Sequence, residues 1–159
     1  MRRLLKFLHT MGAIGLMGAM SCWAVMMIYA PTPADLAGYA LIHAEMAAIG
    51  KWIFFPSLAL TLCAGLLSIA ANRAFHNAGW AWAKLGTGVL IFEGGLMRVQ
   101  GPIQEEAERS ASALAGQLDP ATLTGSYGGE DFSVWVLLAV ATVNVVLGVW
   151  RPRFTRIRE

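Results

Sequence analysis

Apolar residues dominate four stretches of the chain, which short polar segments separate. The stretches run from Leu4 to Ala30, from Gly38 to Ala71, from Trp80 to Met97 and from Phe132 to Trp150. A helix needs about 20 apolar residues to cross a bilayer core, and each stretch approaches or exceeds that length. The pattern therefore predicts an all-α, four-helix transmembrane bundle that forms a single integral membrane domain over residues 1–159.

The second stretch is longer than one span and contains Pro56. Because proline removes a backbone donor, we expect a kink there, with the lipid-spanning part beginning near Lys51. In the polar loop that follows the third stretch, Pro102 and Gly116 are helix start and stop signals. They predict a short amphipathic helix in the long outer loop between helices 3 and 4.

The first stretch begins with basic residues, as a secretory signal peptide does. Its apolar run exceeds the roughly 7–15 residues of such a peptide, so we expect it to be retained as a helix. Cys22 and Cys63 lie inside apolar runs without C-x-x-C spacing, which indicates buried structural thiols.

Composition agrees with a location in the lipid bilayer. Hydrophobic residues make up 57% of the chain and charged residues 14%, and the mean hydropathy is +0.56. A soluble globular protein of this length is less apolar.

The charges are segregated, with basic residues at the start of the chain, on both sides of the break between the second and third stretches, and after the fourth stretch. They are Arg2, Arg3, Lys6, Arg73, Lys84, Arg151, Arg153, Arg156 and Arg158. Acidic residues occupy the other two connections, and the positive-inside rule then places both termini in the cytoplasm. This alternation is a topology signal, not a nucleic-acid-binding surface.

Polar side chains at membrane depth form two layers, and each costs roughly 2.5–3.5 kcal/mol if it is charged. In the inner layer, His9 on the first helix is level with Asn144 on the fourth, and Lys84 can extend to the headgroups. His9 could bond to a neighbour such as Asn144, or its neutral imidazole could be the axial ligand of a heme or another metal.

The outer layer contains Lys51, Glu93 and Arg98. A pairing with Lys51 or Arg98 would keep the Glu93 carboxylate ionised, so we predict a polar membrane network of these three residues and Asn144. A proton or ion relay, or an anchor for a polar ligand, is the alternative. His43 is predicted at the membrane interface.

Five methionines lie on the first predicted helix, and thioethers are ligands that suit Cu(I). Their spacings do not form one stripe, which favours packing or lipid contact over a copper site. They are Met11, Met17, Met20, Met26 and Met27. The chain has no nucleophile triad, phosphate-binding loop or nucleotide-binding motif, so catalysis would depend on a cofactor.

Three short motifs resemble the helical-bundle membrane families related to the copper resistance D proteins and the membrane protoporphyrinogen oxidase of bacterial heme synthesis. They are K-x-x-H at Lys6 to His9, P-x4-T-x3-G at Pro56, Thr61 and Gly65, and W-x3-K at Trp80 and Lys84. Lys51 stands where the oxidase family carries a basic residue. The order and placement of these motifs are similar to a predicted integral membrane family of that superfamily.

The resemblance implies a bacterial inner-membrane location and heme b at His9. Because Glu93 is about nine residues above Lys84, in the other leaflet, this heme would be five-coordinate or completed by Lys84 or a methionine. Glu93 stands where the oxidase family has a second histidine, so neither bis-histidine ligation nor oxidase activity follows. Our leading hypothesis is a heme- or metal-binding protein with a redox or heme-pathway role, with copper as the alternative cofactor. The other hypothesis is a non-enzymatic carrier of copper or small solutes, or an accessory subunit of a membrane complex. Homo-oligomers are compatible with both hypotheses.

Overall fold

The computed structural model describes residues 2–123, 125 and 129–150, and the C-terminal arginines lie outside this range. The regular structure of the described residues is helical, which confirms the all-α class. The α-helices are α1 (Arg2–Tyr29), α2 (Leu36–Ile49), α3 (Phe55–Ala70), α4 (Arg73–His76), α5 (Gly79–Gly94), α6 (Gly101–Leu114) and α7 (Glu130–Trp150). A first π-helical segment, Gly50–Phe54, joins α2 to α3, and a second, Gly95–Gln100, joins α5 to α6. A 3-10 turn covers Pro120–Thr122.

Helices α1, α3, α5 and α7 surround one apolar core, with α1 against α3 and α7, and α5 against α7 and α3. Beyond this bundle, α2 and α6 pack along each other. We call the end of the bundle that carries Arg2 and α4 the inner end, and the end that carries α2 and α6 the outer end.

Three helices in the described part of the chain are long and apolar enough to cross a membrane. They are Arg2–Tyr29, Leu36–Ala70 and Asp131–Trp150. The predicted third span corresponds to α5, which has 16 residues and carries Lys84 and Glu93. Length and composition therefore support three crossings directly and make the chain compatible with a membrane protein.

Small residues allow α1 and α3 to approach closely. A Cβ atom on Gly12 would lie 2.8 Å from the carbonyl oxygen of Ser57 and 2.9 Å from the backbone nitrogen of Thr61. A Cβ atom on Gly15 would lie 3.2 Å from that of Ser57. In lipid, where dispersion drives helix association, such backbone contact stabilises the pair.

Replacing Gly12 with alanine should destabilise the protein by about 1–3 kcal/mol, because the added methyl group meets backbone atoms that cannot rotate away. Gly18 on the same helix is the matched control, since its Cβ would meet nothing within 4 Å. We expect Gly18→Ala to be neutral or slightly stabilising, as alanine favours helix. Titration of purified protein with SDS, followed by circular dichroism, measures both. Equal midpoints would contradict the close approach.

Each π-helical segment ends two residues before a proline, Pro56 in one case and Pro102 in the other. Because proline has no N–H to donate, the preceding turn loses an α-helical hydrogen bond, and a wider turn accommodates the change. The irregularity expected near Pro56 thus takes the form of a π-helical segment. The two segments also touch: Gly95 faces the ring of Phe54, and Gly50 faces the side chain of Gln100.

Trp23, on α1, is part of the apolar core and packs against the first π-helical segment. Its side chain is 0% exposed, and its ring centroid is 4.8 Å from that of Phe54. Its Nε1–H donates to the carbonyl oxygen of Met46 at 2.9 Å. Met20 and Met27 are buried in the same core, as the packing interpretation of the α1 methionines predicts.

The helix predicted in the long outer loop is present as α6, and Gly116, with φ 72°, follows its end. The prediction of an isolated helix in a loop does not describe its packing. It continues α5 and packs on α2, with Tyr39, Ala113 and Leu123 buried at the contact.

Two predictions of burial are wrong. Cys22 and Cys63 are free thiols on exposed sides of α1 and α3, because the apolar runs around them cover outward as well as inward helix faces. His43, predicted at the interface, is 1% exposed because α6 covers this part of α2.

Candidate functional site

His9 is held against α3 by a hydrogen bond to backbone. Its Nδ1 donates to the carbonyl oxygen of Thr61 at 2.8 Å. A carbonyl oxygen can only accept, so in the neutral ring Nδ1 carries the proton and Nε2 keeps a lone pair. The predicted bond to Asn144 is therefore not the one that forms, because α1 packs most closely against α3.

Residues of the P-x4-T-x3-G motif contact the side chain of His9. Gly65 lies one turn beyond Thr61, and a Cβ atom there would be 3.4 Å from both Cε1 and Nδ1 of the ring. The imidazole therefore lies directly beside α3 at this position. Two of the three motifs noted in the sequence, which are about 50 residues apart, thus meet at one point.

Lys84 and Asn144 join α5 to α7 at the same end of the bundle. Lys84 Nζ donates to the carbonyl oxygen of Asn144 at 3.0 Å, and Asn144 Nδ2 donates to Thr87 Oγ1 at 2.8 Å and to the Lys84 carbonyl at 3.3 Å. Gly148 leaves room for the ammonium group, since a Cβ atom there would be 2.7 Å from Nζ.

The two halves of this end lie at the same level of the bundle, since a Cβ atom on Gly88, four residues after Lys84, would be 3.2 Å from the side chain of Leu62, the neighbour of Thr61. We call the set His9, Thr61, Lys84, Thr87 and Asn144 the inner polar cluster. The structure thus brings both cofactor-binding candidates, His9 and Lys84, into one region.

The ionisable residues of the predicted outer layer do not form a cluster like the one at the inner end. Lys51, Glu93 and Arg98 are all exposed, and no ion pair within 4.0 Å joins any two of them. Lys51 Nζ lies 5.5 Å from the ring centroid of its neighbour Trp52. The predicted pairing of Glu93 does not form within this chain, because the three side chains leave the bundle instead of crossing it. Asn144 belongs to the inner polar cluster.

Sequence reasoning missed a polar contact between α2 and α6. Tyr39 Oη donates to Glu106 Oε1 at 2.8 Å, and His43 Nδ1 donates to the Tyr39 carbonyl at 2.8 Å, with the two rings 4.2 Å apart. Arg109 lies 4.0 Å from Glu106 and donates to the carbonyl of Thr122. The helical spacing of Tyr39 and His43 was the signal that could have indicated a buried face.

Comparison with protein-family models, curated proteins and solved structures finds no match for this chain. In the part of the chain that the structure describes, no three His, Cys, Asp or Glu side chains converge as a metal-binding group. One imidazole with a lone pair on Nε2 is the kind of donor that an axial heme ligand provides.

Proposed function

We propose that the chain crosses the bacterial inner membrane four times, with both termini in the cytoplasm. Helix α5 begins near the inner end of α3, and its continuation α6 packs along α2 at the outer end. A helix that connects these two ends traverses the same thickness as α3. Lys84 is near the inner end of α5, and its amine bonds to the carbonyl oxygen of Asn144 near the inner end of α7.

Charge and aromatic residues support this orientation. Arg2, Arg3 and Lys6 are exposed at the inner end, whereas the acidic residues of α2 and α6 are at the outer end. Exposed aromatic rings lie near both ends, as in membrane-interface belts. They are Trp82 and Trp150 at the inner end, and Tyr29, Trp52 and Phe132 at the outer end.

Cysteine labelling tests the topology. With Cys22 and Cys63 replaced by alanine, a Gln117→Cys variant should react with a membrane-impermeant maleimide in intact cells, because Gln117 is exposed beyond α6. Asn77→Cys, exposed in the connection between α4 and α5, should react only after lysis. Labelling of both sites, or of Asn77→Cys alone, in intact cells would contradict four crossings with this orientation.

We also propose that His9 is the axial ligand of heme b, with a redox or heme-pathway role. The observation that carries this proposal is the hydrogen bond from Nδ1 to the Thr61 carbonyl. Metal-ligating histidines usually donate their second ring N–H to a carbonyl or carboxylate, which fixes the tautomer and orients the ring. Bound heme would supply one-electron chemistry or ligand binding at the iron.

Other residues near His9 and Lys84 would help to orient the ligand or bind the heme in this proposal. Thr61 fixes the orientation of the imidazole, and Gly65 lies beside the ring. The ammonium group of Lys84, at the same end of the bundle, would favour the carboxylates of a porphyrin. Glu93 is nine residues from Lys84, or about 13 Å along the helix, so it cannot be the opposite ligand.

An absorption spectrum with metal analysis tests the cofactor. Protein purified in mild detergent from heme-supplemented cells should show a Soret band, weak if the site is partly filled. Protein without a Soret band or metal would favour the second candidate, a non-enzymatic carrier or an accessory subunit.

A further inference from the structure

One face of α5 points outward from the bundle and exposes a carboxylate. At the inner end of this face, Trp82 Nε1–H donates to the carbonyl oxygen of His76 in α4. The face consists of Trp82, Gly86, Leu90, Glu93 and Met97, at helical spacings of three and four residues. Leu90 is 60% and Met97 73% exposed, and a Cβ atom on Gly86 would meet nothing within 4 Å. We call it the α5 face.

Glu93 lies at membrane depth. Its neighbour Gly94 faces Leu137, which is six residues into the helix from Asp131, or about 9 Å below the outer end of α7. Gly95 meets Phe54, which stacks on Trp23, and Trp23 is also six residues from the outer end of α1 at Tyr29. With the four crossings proposed above, both helices put Glu93 about 9 Å inside the outer end of the bundle, within a hydrocarbon core of about 30 Å.

A basic residue lies close to Glu93 along the chain. Arg98 follows Glu93 by five residues and is also exposed. The second π-helical segment, with its i→i+5 hydrogen bonding, widens the turn and brings positions five apart closer to one side than an α-helix does. Glu93 and Arg98 form no ion pair with any described residue. Ionisable groups at this depth are costly when they face lipid, and they normally pair.

We propose that the α5 face is the contact surface of a homodimer, in which Glu93 of each copy pairs with Arg98 of the other. Copies inserted in one orientation are related by a two-fold axis along the membrane normal, so an isologous patch must be self-complementary. The α5 face and the adjacent Arg98 together carry one acid and one base, which meets this requirement. Gly86 allows the two backbones to approach closely. The proposal rests on the proposed crossing of α5 and is independent of the heme.

Charge reversal with mixing tests the pairing. Fluorescently labelled chains in liposomes, counted by single-molecule photobleaching, should be dimeric for the wild type. Glu93→Lys and Arg98→Glu should each lower the association constant by about tenfold or more, since each places like charges opposite one another twice. Mixed together, the two variants should recover the wild-type dimer fraction, because both contacts again join opposite charges. Glu45→Lys, on the exposed side of α2, is the control and should change nothing.

Cross-linking checks the same surface without charge reversal, in case a variant fails to fold. In the background that lacks Cys22 and Cys63, Met97→Cys should form a disulfide-linked dimer, whereas Val25→Cys on exposed α1 should not. A monomeric wild type, a mixture as dissociated as either variant alone, or a Val25→Cys cross-link without a Met97→Cys one would overturn the proposal. So would a monomer that co-purifies with a different membrane protein. Failure of the α5 crossing itself would appear separately, in the labelling of Gln117→Cys.

Discussion

Replacing Trp23 with alanine is expected to destabilise the protein by about 3–5 kcal/mol, the range found for large aromatic residues removed from a core. The indole is fully buried and stacks on Phe54, which itself fits against the glycine of the second π-helical segment. The same side chain donates to the Met46 carbonyl, next to the first segment. Its removal would leave a cavity where three helices meet and an acceptor without its donor.

Two further variants separate these contributions. Trp23→Phe keeps most of the ring and loses the hydrogen bond, so a smaller cost of about 1–3 kcal/mol is expected. Trp52→Ala removes an indole that is 73% exposed and should cost little. Unfolding by SDS, followed by circular dichroism, gives the three midpoints. If Trp23→Ala lost no more stability than Trp52→Ala, the position of Trp23 in the apolar core would be wrong.

The long apolar helices could be predicted closely from the sequence. The first was expected from Leu4 to Ala30 and occurs at Arg2–Tyr29, and the fourth was expected from Phe132 and begins at Glu130. Apolar length is a strong signal because it depends on the burial or lipid contact of a whole helix.

The junctions could not be predicted, because they depend on local hydrogen bonding and on distant partners. Pro56 indicated an irregularity, but a kink and a π-helical segment have the same sequence signal. The polar composition of α6 indicated a surface helix. Its packing on α2 depends on contacts such as Tyr39 with Glu106, which are 67 residues apart.

For the candidate site, the sequence indicated how far each polar residue lies along the bundle better than it indicated which way the side chain faces. His9, Lys84 and Asn144 lie at the same end of the bundle, as their positions along the helices predicted. The partner of His9 is a backbone carbonyl, which every residue possesses and no motif can specify. Glu93 and Arg98 are at neighbouring depths, as predicted, but both side chains face outward. The face that a helix turns outward depends on its packing against other helices, which the sequence does not show.

The central claim, that His9 binds heme, is tested most directly by comparing absorption spectra of three proteins purified from heme-supplemented cells. His76→Ala is the matched control, since His76 is exposed and its Nε2 donates to the carbonyl oxygen of the nearby Ile69. We expect the wild type and His76→Ala to share a Soret band and His9→Ala to lack it, with helical content unchanged in all three. A wild-type protein without a Soret band, or a band that persists in His9→Ala, would contradict the account.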